Sequence, residues 1–230
     1  MFNFSFLLAS TPKPFDIPDI FRNIASRWYV YVVIIAVTVL LLTLILIKGK
    51  KRNNLTSTQK LVYTAVFSAL AFLANYLTIK VSNEIQISLI ATVGFVAGYL
   101  LGPSLGFTSA FLGDLICGIV APLGVYSPVI GLGSALMGFI PGVMFTRLKF
   151  NDYINLAISY VAVFIIASFF VNNVGLALLY GWTIDITIIT RLPFMLIGTL
   201  ANVIISYALL PVLNRTLPKD KFPFVKKQVK

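Results

Sequence analysis

The stretch that decides the fold runs from Gly113 to Gly138 and reads G-D-L-I-C-G-I-V-A-P-L-G-V-Y-S-P-V-I-G-L-G-S-A-L-M-G. Two apolar segments flank a short turn that contains two prolines and a glycine, which is typical of membrane helices joined by a tight connection. Asp114 lies inside the first apolar segment. A carboxylate at membrane depth costs roughly 2.5–3.5 kcal/mol on insertion scales, so Asp114 indicates either a buried partner or a function.

The composition of the whole chain agrees with a membrane protein. Of its 230 residues, 59% are hydrophobic and only 11% are charged, which is too apolar for a soluble domain. The apolar runs are long and are broken by short polar turns, whereas barrel strands would give short alternating segments. The sequence therefore predicts an all-α membrane protein.

We predict one additional amino-terminal transmembrane helix before a six-helix core. Residues 1–27 lack the basic start and cleavage site of a secretory signal, so we expect a leader that is extracellular or interfacial. Residues 28–47 form an apolar run of about 30 Å, enough to span the hydrocarbon core, and open with aromatic residues that suit an interface. Residues 48–60 form a basic cytoplasmic linker, and Thr56 or Ser57 is the candidate cap of the next helix.

The core comprises residues 61–213, and a basic cytoplasmic tail, 214–230, follows it. Its six predicted spans are Leu61–Ile79, Leu89–Leu101, Leu105–Ala121, Pro128–Phe145, Tyr153–Tyr180 and Arg191–Leu213. Lys80–Ser88 alternates polar and apolar residues, which indicates an extended loop or a short strand. Gly181–Thr190 is predicted as a loop, and Pro193 is placed in the first turn of the last helix, where its missing N–H costs little.

The distribution of basic residues predicts the orientation of the chain. Lysine and arginine concentrate in residues 48–60, in 147–149 and in the tail, and short cytoplasmic segments retain such residues. The amino terminus is therefore expected outside and the carboxyl terminus in the cytoplasm. We interpret the net charge of +11 as this topology signal rather than as a nucleic-acid-binding surface. The basic tail can also contact anionic lipid.

The same topology places three polar or aromatic segments on the outer side, where an external solute would arrive. From these segments and the spans below them, the candidate substrate-binding residues are Asn75, Lys80, Asp114, Tyr126, Ser127, Asn172, Trp182 and Arg191. Each type also has a structural explanation. Asparagines bridge helices, aromatic residues form an interfacial belt, and long basic side chains extend to the membrane surface. For Asp114, ligand binding and pairing with Asn75, Asn202 or a helix terminus stay open.

Small residues recur at helical spacing in the third and fourth core spans, and most are expected to serve helix packing. On the first core span Ala65 and Ala69 form a smooth face that could contact another membrane protein, although an intramolecular contact is more usual.

The sequence argues against an enzyme. It has no histidine and a single cysteine, Cys117, so we expect no metal, no other cofactor and no disulfide. It also lacks a G-x-x-x-x-G-K loop, so we expect that it does not hydrolyse ATP itself and that any energy for active transport comes from partners or an ion gradient.

Several of these residues together resemble a known family. The residues are D-L-I at 114–116, then Pro122, Gly124, Tyr126 and Pro128, then Ser134-Ala135 and Gly138. Across residues 56–214 the chain resembles the substrate-binding S components of energy-coupling-factor (ECF) vitamin transporters, in particular their folate-type subgroup. The additional amino-terminal helix lies outside that resemblance.

The resemblance implies a six-helix S component of an ECF-type ABC transporter that takes up a water-soluble vitamin from outside. It also implies docking on a transmembrane coupling subunit with two ATPase subunits, through an A-x-x-x-A face that Ala65 and Ala69 fit. Folate is the first expectation, because Arg191 and Lys80 suit its anionic tail and Trp182 or Tyr126 its flat ring. Another vitamin, a modified base, or a non-transport scaffold of the cell envelope are the alternatives.

Overall fold

The computed structural model describes residues 54–80, 86–120, 127–148, 150–180, 184–218 and 221–222. The leader, the additional amino-terminal helix and residues 48–53 of the basic linker fall outside this part of the chain. Its elements are α1 (Ser57–Tyr76), β1 (Ile79–Lys80), β2 (Gln86–Ile87), α2 (Ile90–Leu101), α3 (Pro103–Val120), α4 (Pro128–Arg147), α5 (Asp152–Ala162), a π-helical segment (Val163–Asn172), α6 (Asn173–Tyr180) and α7 (Ile184–Thr216).

These elements form six helical rods, because α5, the π-helical segment and α6 follow one another as one continuous helix. The expected all-α membrane fold with a six-helix bundle is thus confirmed. Thr56, one of the two predicted candidates, caps α1, and its side chain and that of Gln59 each accept a hydrogen bond from the other's backbone N–H group. The predicted extended segment after α1 is a short antiparallel pair in which Ile79 faces Ile87.

Four of the described rods are long and apolar enough to cross a membrane by length and composition: α3, α4, residues 152–177 and residues 191–216. The helix α2 has only 12 residues, or about 18 Å, and α1 begins with the polar turn S-T-Q-K. Apolar side chains that face outward on the rods, such as Ile119, Val161 and Ile204, would lie against lipid.

At the centre of the bundle, α4 contacts α2 and α3 backbone to backbone. A β-carbon added to Gly98 would lie 2.2 Å from the carbonyl oxygen of Gly138, and one added to Gly138 would lie 2.2 Å from that of Gly106. A β-carbon added to Gly142 would lie 2.6 Å from Pro103. These contacts confirm that small residues in the third and fourth spans serve close helix packing.

One end of the bundle is closed by aromatic side chains. Phe95 and Tyr99 of α2 pack on Phe145 of α4, with ring centroids 5.7 and 4.8 Å apart. After α7 the chain turns back, and Phe222 is buried edge-on against Tyr63 of α1. The backbone N–H of Asn54 donates to the carbonyl of Lys221, so the two ends of the described core lie together.

The predicted loop before the last helix is wrong over residues 184–190, because α7 already begins at Ile184. Pro193 therefore lies inside the helix rather than in its first turn. No glycine or other proline interrupts residues 184–192, so the helix continues into Pro193. Membrane helices tolerate the loss of the single backbone hydrogen bond that proline removes. The π-helical segment was not predicted.

Candidate ligand-binding cavity

A cavity of about 210 Å³ lies among the helices, at the end of the bundle opposite the aromatic cluster. Its walls come from the last turn of α1, the residues around β2, the second half of α3, the first half of α4, the π-helical segment and α7. This is the end where the sequence predicts the outer connections. The lining residues are Asn75, Ile87, Ser88, Ile90, Ala91, Asp114, Ile130, Ser134, Met137, Tyr160, Val163, Ser168, Asn172, Leu176, Arg191, Phe194, Met195, Gly198, Thr199 and Asn202.

Asp114 is the acidic group of this cavity and is only 7% exposed. The Asn75 amide Nδ2 donates to its Oδ1 over 2.7 Å, and the Ser134 hydroxyl donates to the same oxygen over 3.1 Å. Of the partners considered from sequence, Asn75 is the one found. Since both donors reach Oδ1, the second carboxylate oxygen, Oδ2, receives no donor from the described residues.

Asn202 is fully committed to bracing helices. Its Oδ1 accepts from the backbone N–H of Thr92 at 3.0 Å and from the Thr92 hydroxyl at 2.7 Å. Its Nδ2 donates to the carbonyls of Ser88 at 2.9 Å and Gly198 at 2.7 Å. An amide with two donors and two accepting sites has then used its capacity, so Asn202 fixes α7 against the start of α2.

Two consecutive asparagines at the end of the π-helical segment point to different walls. Asn173, which is 1% exposed, accepts a hydrogen bond of 2.7 Å from Nη1 of Arg191 on α7. The side chain of Asn172 instead lies against Gly133 of α4 and lines the cavity. The guanidinium of Arg191 is therefore held at the cavity wall, where it provides a positive charge.

The residues that line the cavity or lie beside it include both polar and apolar side chains. The hydroxyl groups of Tyr160 and Ser206 are 2.6 Å apart and join the fifth rod to α7. Phe194 and Met195 of α7 and Ile130 of α4 supply apolar surface. Such a mixture suits a small organic ligand with an apolar body and a few hydrogen-bonding groups.

The cavity offers hydrogen bonding and charge rather than covalent chemistry. In the part of the chain that the structure describes, no three histidine, cysteine or acidic side chains come together as a metal site would require. Cys117 is buried in α3 and is not among the lining residues.

Of the residues singled out from sequence, Asn75, Asp114, Asn172 and Arg191 line the cavity. Ser127 lies at the amino-terminal end of α4 and is not among the lining residues. Lys80 belongs to β1, but its side chain lies outside the description, as do Tyr126 and Trp182 altogether. Sequence reasoning did not select the other polar lining residues Ser88, Ser134, Tyr160, Ser168 and Thr199.

A signal for one of these residues was present. Ser134 belongs to a small-residue stripe that was assigned to packing, yet it is the stripe's hydroxyl-bearing member and faces the only acid of the preceding helix. The others carry no spacing signal, because serine, threonine and tyrosine occur on many membrane-helix faces.

The predicted coupling residues lie on an exposed part of α1. Ala65 and Ala69 are exposed together with larger apolar neighbours: Leu61, Val62, Val66, Leu70 and Leu73. The opposite side of α1, with Thr64, Phe67, Ser68 and Ala71, is buried against the bundle.

Comparisons with known proteins bear on both fold and family. The family model described as "ECF-type riboflavin transporter, S component" matches residues 54–215. The crystal structure of FolT bound with folic acid is similar in fold, with a TM-score of 0.60 and 18% sequence identity. That similarity covers 66% of this chain and 93% of the FolT chain. A search of curated protein sequences found no match.

Proposed function

The chain belongs to the family of S components of ECF-type riboflavin transporters, and from this premise we propose that it captures a flat, water-soluble vitamin in the cavity described above. The protein would deliver the vitamin to a transmembrane coupling subunit and two ATPase subunits, which hydrolyse the ATP that drives uptake. The S component itself would carry out no chemical step.

The observation that carries this proposal is the presence of an acidic and a basic side chain in one cavity within apolar helices. Asp114 and Arg191 both line this cavity, and intramembrane ionisable residues generally mark a substrate site. The cavity also lies at the end of the bundle where the basic-residue pattern predicts the outside of the cell. A solute arriving from outside would therefore enter it directly.

Two vitamins fit this chemistry, for different reasons. Riboflavin is the ligand in the description of the matching family model, and folic acid is the ligand of the FolT structure. Both are flat heterocycles with ring N–H and carbonyl groups, which suit Asp114, Asn75 and Asn172. Folate adds an anionic tail, for which Arg191 at the cavity wall provides positive charge, and Lys80 stays a second candidate on the basis of its sequence position alone.

Delivery would use the exposed face of α1. Ala65 and Ala69 leave a smooth surface on which a coupling subunit can approach closely, as small residues allow in membranes. The amino terminus would lie outside and the carboxyl terminus in the cytoplasm.

The direct test is vitamin binding by the purified full chain in lipid nanodiscs. We expect either riboflavin or folic acid to raise the melting temperature, since a ligand at about 1,000 times its dissociation constant stabilises by about 4.1 kcal/mol. Biotin, which is not a conjugated heterocycle, is the control. If none of the water-soluble vitamins shifts the transition, the proposal is wrong and a role as a membrane scaffold becomes the better explanation.

A further inference from the structure

Gly133 and Asn172 approach more closely than any side chain at position 133 would permit. A β-carbon added to Gly133 would lie 1.9 Å from Oδ1 of Asn172, 2.8 Å from its Cγ and 3.4 Å from its Nδ2. The amide of Asn172 therefore occupies the space where every other residue type would place its β-carbon. Only glycine at position 133 allows this arrangement.

The orientation of that amide is unusual, because Oδ1 is buried and accepts no hydrogen bond within the described part of the chain. Buried polar atoms are nearly always paired, because leaving one without a hydrogen-bond partner destabilises the fold. Oδ1 faces α4, and Nδ2 is the amide atom farther from Gly133. Since Asn172 lines the cavity, Nδ2 is the atom that can reach a ligand as a hydrogen-bond donor.

The backbone around Asn172 supports a functional explanation. Asn172 is the last residue of the ten-residue π-helical segment, which also presents Val163 and Ser168 to the cavity. Departures from α-helical pairing inside helices are uncommon and frequently occur at functional sites. Here the departure coincides with the part of the rod that forms the cavity wall.

The next residue of α4 holds the opposite kind of group. The Ser134 hydroxyl bonds Oδ1 of Asp114, which leaves Oδ2 as an acceptor for a ligand. Two consecutive residues of α4 thus contact two different ligand-binding groups. Gly133 lies against the amide of Asn172, whose Nδ2 is a donor, and Ser134 bonds the carboxylate of Asp114, whose Oδ2 is an acceptor. The cavity has complementary hydrogen-bonding groups on two walls.

We propose that Gly133 is a positioning residue that leaves room for the Asn172 amide and so orients it. In this orientation Nδ2 of Asn172 donates to a ring carbonyl of the vitamin, while Oδ2 of Asp114 accepts from a ring N–H. The ligand class is then a heterocyclic amide, a ring that carries both N–H and C=O groups, as flavins and pterins do. This inference rests on the proposed function and goes further by naming the residues that select the ring.

The test is a double-mutant cycle on the full chain in nanodiscs, with dissociation constants measured for riboflavin and for folic acid. Asn172→Ala removes the donor, and we expect affinity for the bound vitamin to fall about three- to tenfold, the range for one hydrogen bond. Gly133→Ala should give a similar loss by displacing the amide. Because both changes remove the same contact, the double variant should bind no more weakly than Asn172→Ala alone.

A ring fragment locates the contact on the vitamin. Lumiflavin carries the isoalloxazine ring of riboflavin without the ribityl chain, and 6-methylpterin carries the pterin ring of folic acid alone. Asn172→Ala should weaken binding of the matching fragment by the same factor as it weakens the whole vitamin. A loss seen only with the whole vitamin would assign Asn172 to the tail and overturn the ring assignment.

Gly142→Ala is the structural control. Its β-carbon would lie 2.6 Å from Pro103, and neither residue lines the cavity, so the variant should lower the melting temperature and leave affinity unchanged. Losses that add in the double variant, or unchanged affinity in Gly133→Ala, would overturn the inference while the proposed function stands. A wild-type chain that binds no vitamin would overturn both.

Discussion

The Asn75 side chain donates to the Asp114 carboxylate over 2.7 Å, although 39 positions separate the two residues in the chain. This bond joins the end of α1 to the second half of α3 at the wall of the cavity. The Asp114 carboxylate is costly in lipid by itself, and the bond gives it a partner while it still borders the cavity. Structural support and ligand binding are therefore compatible at Asp114.

Replacing Asp114 with asparagine separates these two roles. Asp114→Asn keeps an oxygen that can accept from Asn75 and Ser134 and removes the buried charge, so we expect the melting temperature of the ligand-free protein to be equal or higher. Affinity for the vitamin should fall about tenfold or more, because hydrogen bonds to a charged group contribute about 1.5–3 kcal/mol. Calorimetry and a melting curve measure the two effects. A changed melting temperature with unchanged vitamin affinity would assign Asp114 to packing alone.

Arg191 distinguishes the two candidate vitamins. Arg191→Gln removes a positive charge from the cavity wall, so we expect affinity for folic acid, which is anionic, to fall about tenfold, or about 1.4 kcal/mol. Riboflavin is uncharged at neutral pH, and its affinity should change much less. Arg191→Lys keeps the charge and serves as the matched control. Equal losses for both vitamins in Arg191→Gln would show that Arg191 acts through Asn173 rather than through ligand charge.

Replacing the exposed alanines of α1 should impair delivery of the vitamin to the coupling subunit without affecting vitamin binding. Ala69→Leu places a bulky side chain on the smooth face, which should block close approach of a coupling subunit. We expect unchanged vitamin affinity in the isolated protein and strongly reduced uptake by cells that also produce the coupling and ATPase subunits. Ala208→Leu, a matched change at an exposed position of α7, should leave uptake intact. Normal uptake in Ala69→Leu would remove this face from the coupling contact.

Phe222 should stabilise the end of the bundle away from the cavity. It is 1% exposed and packs on Tyr63, so Phe222→Ala is expected to cost about 3–5 kcal/mol, as large-to-small changes in well-packed cores do. The measurement is denaturant unfolding in mixed micelles. Phe150→Ala, at a phenylalanine that is 57% exposed, should cost under about 0.5 kcal/mol. Similar costs for both variants would show that the Phe222 side chain contributes little to the bundle.

Much of the fold could be predicted because membrane spans follow from composition. Apolar runs bounded by glycine, proline and charged residues marked the rods, and an acid in one of them pointed to the cavity wall at Asp114. The start of α7 was missed because Pro193 resembles a first-turn proline, although helices in lipid also accept it internally. The π-helical segment leaves no sequence signature, since it depends on how a whole rod packs against its neighbours.

The cavity was predicted less completely. Asn75, Asp114, Asn172 and Arg191 stood out because amides and charges are rare at membrane depth, and all four reach the cavity. Gly133 did not stand out, because its role depends on the approach of Asn172 from a distant helix, and a glycine in a membrane helix usually serves packing. Ser127 was included for its place in the outer turn, but that place puts it at the start of α4 and away from the lining residues.

The helices that surround the cavity differ in stiffness. The glycine contacts at the centre of the bundle hold α2, α3 and α4 together, whereas no such contact holds α7 in the part of the chain that the structure describes. Where α4 touches α2 and α3 backbone to backbone, no side chain can change its rotamer to absorb a shift, so these rods must keep their relative positions. In the 18-residue apolar window of the span 128–147, 72% of the residues are buried, whereas in that of the span 191–216 only 17% are. A vitamin that enters or leaves would then displace the part of α7 that precedes the Asn202 bonds, together with Arg191, while Asp114 stays in place as a fixed reference point.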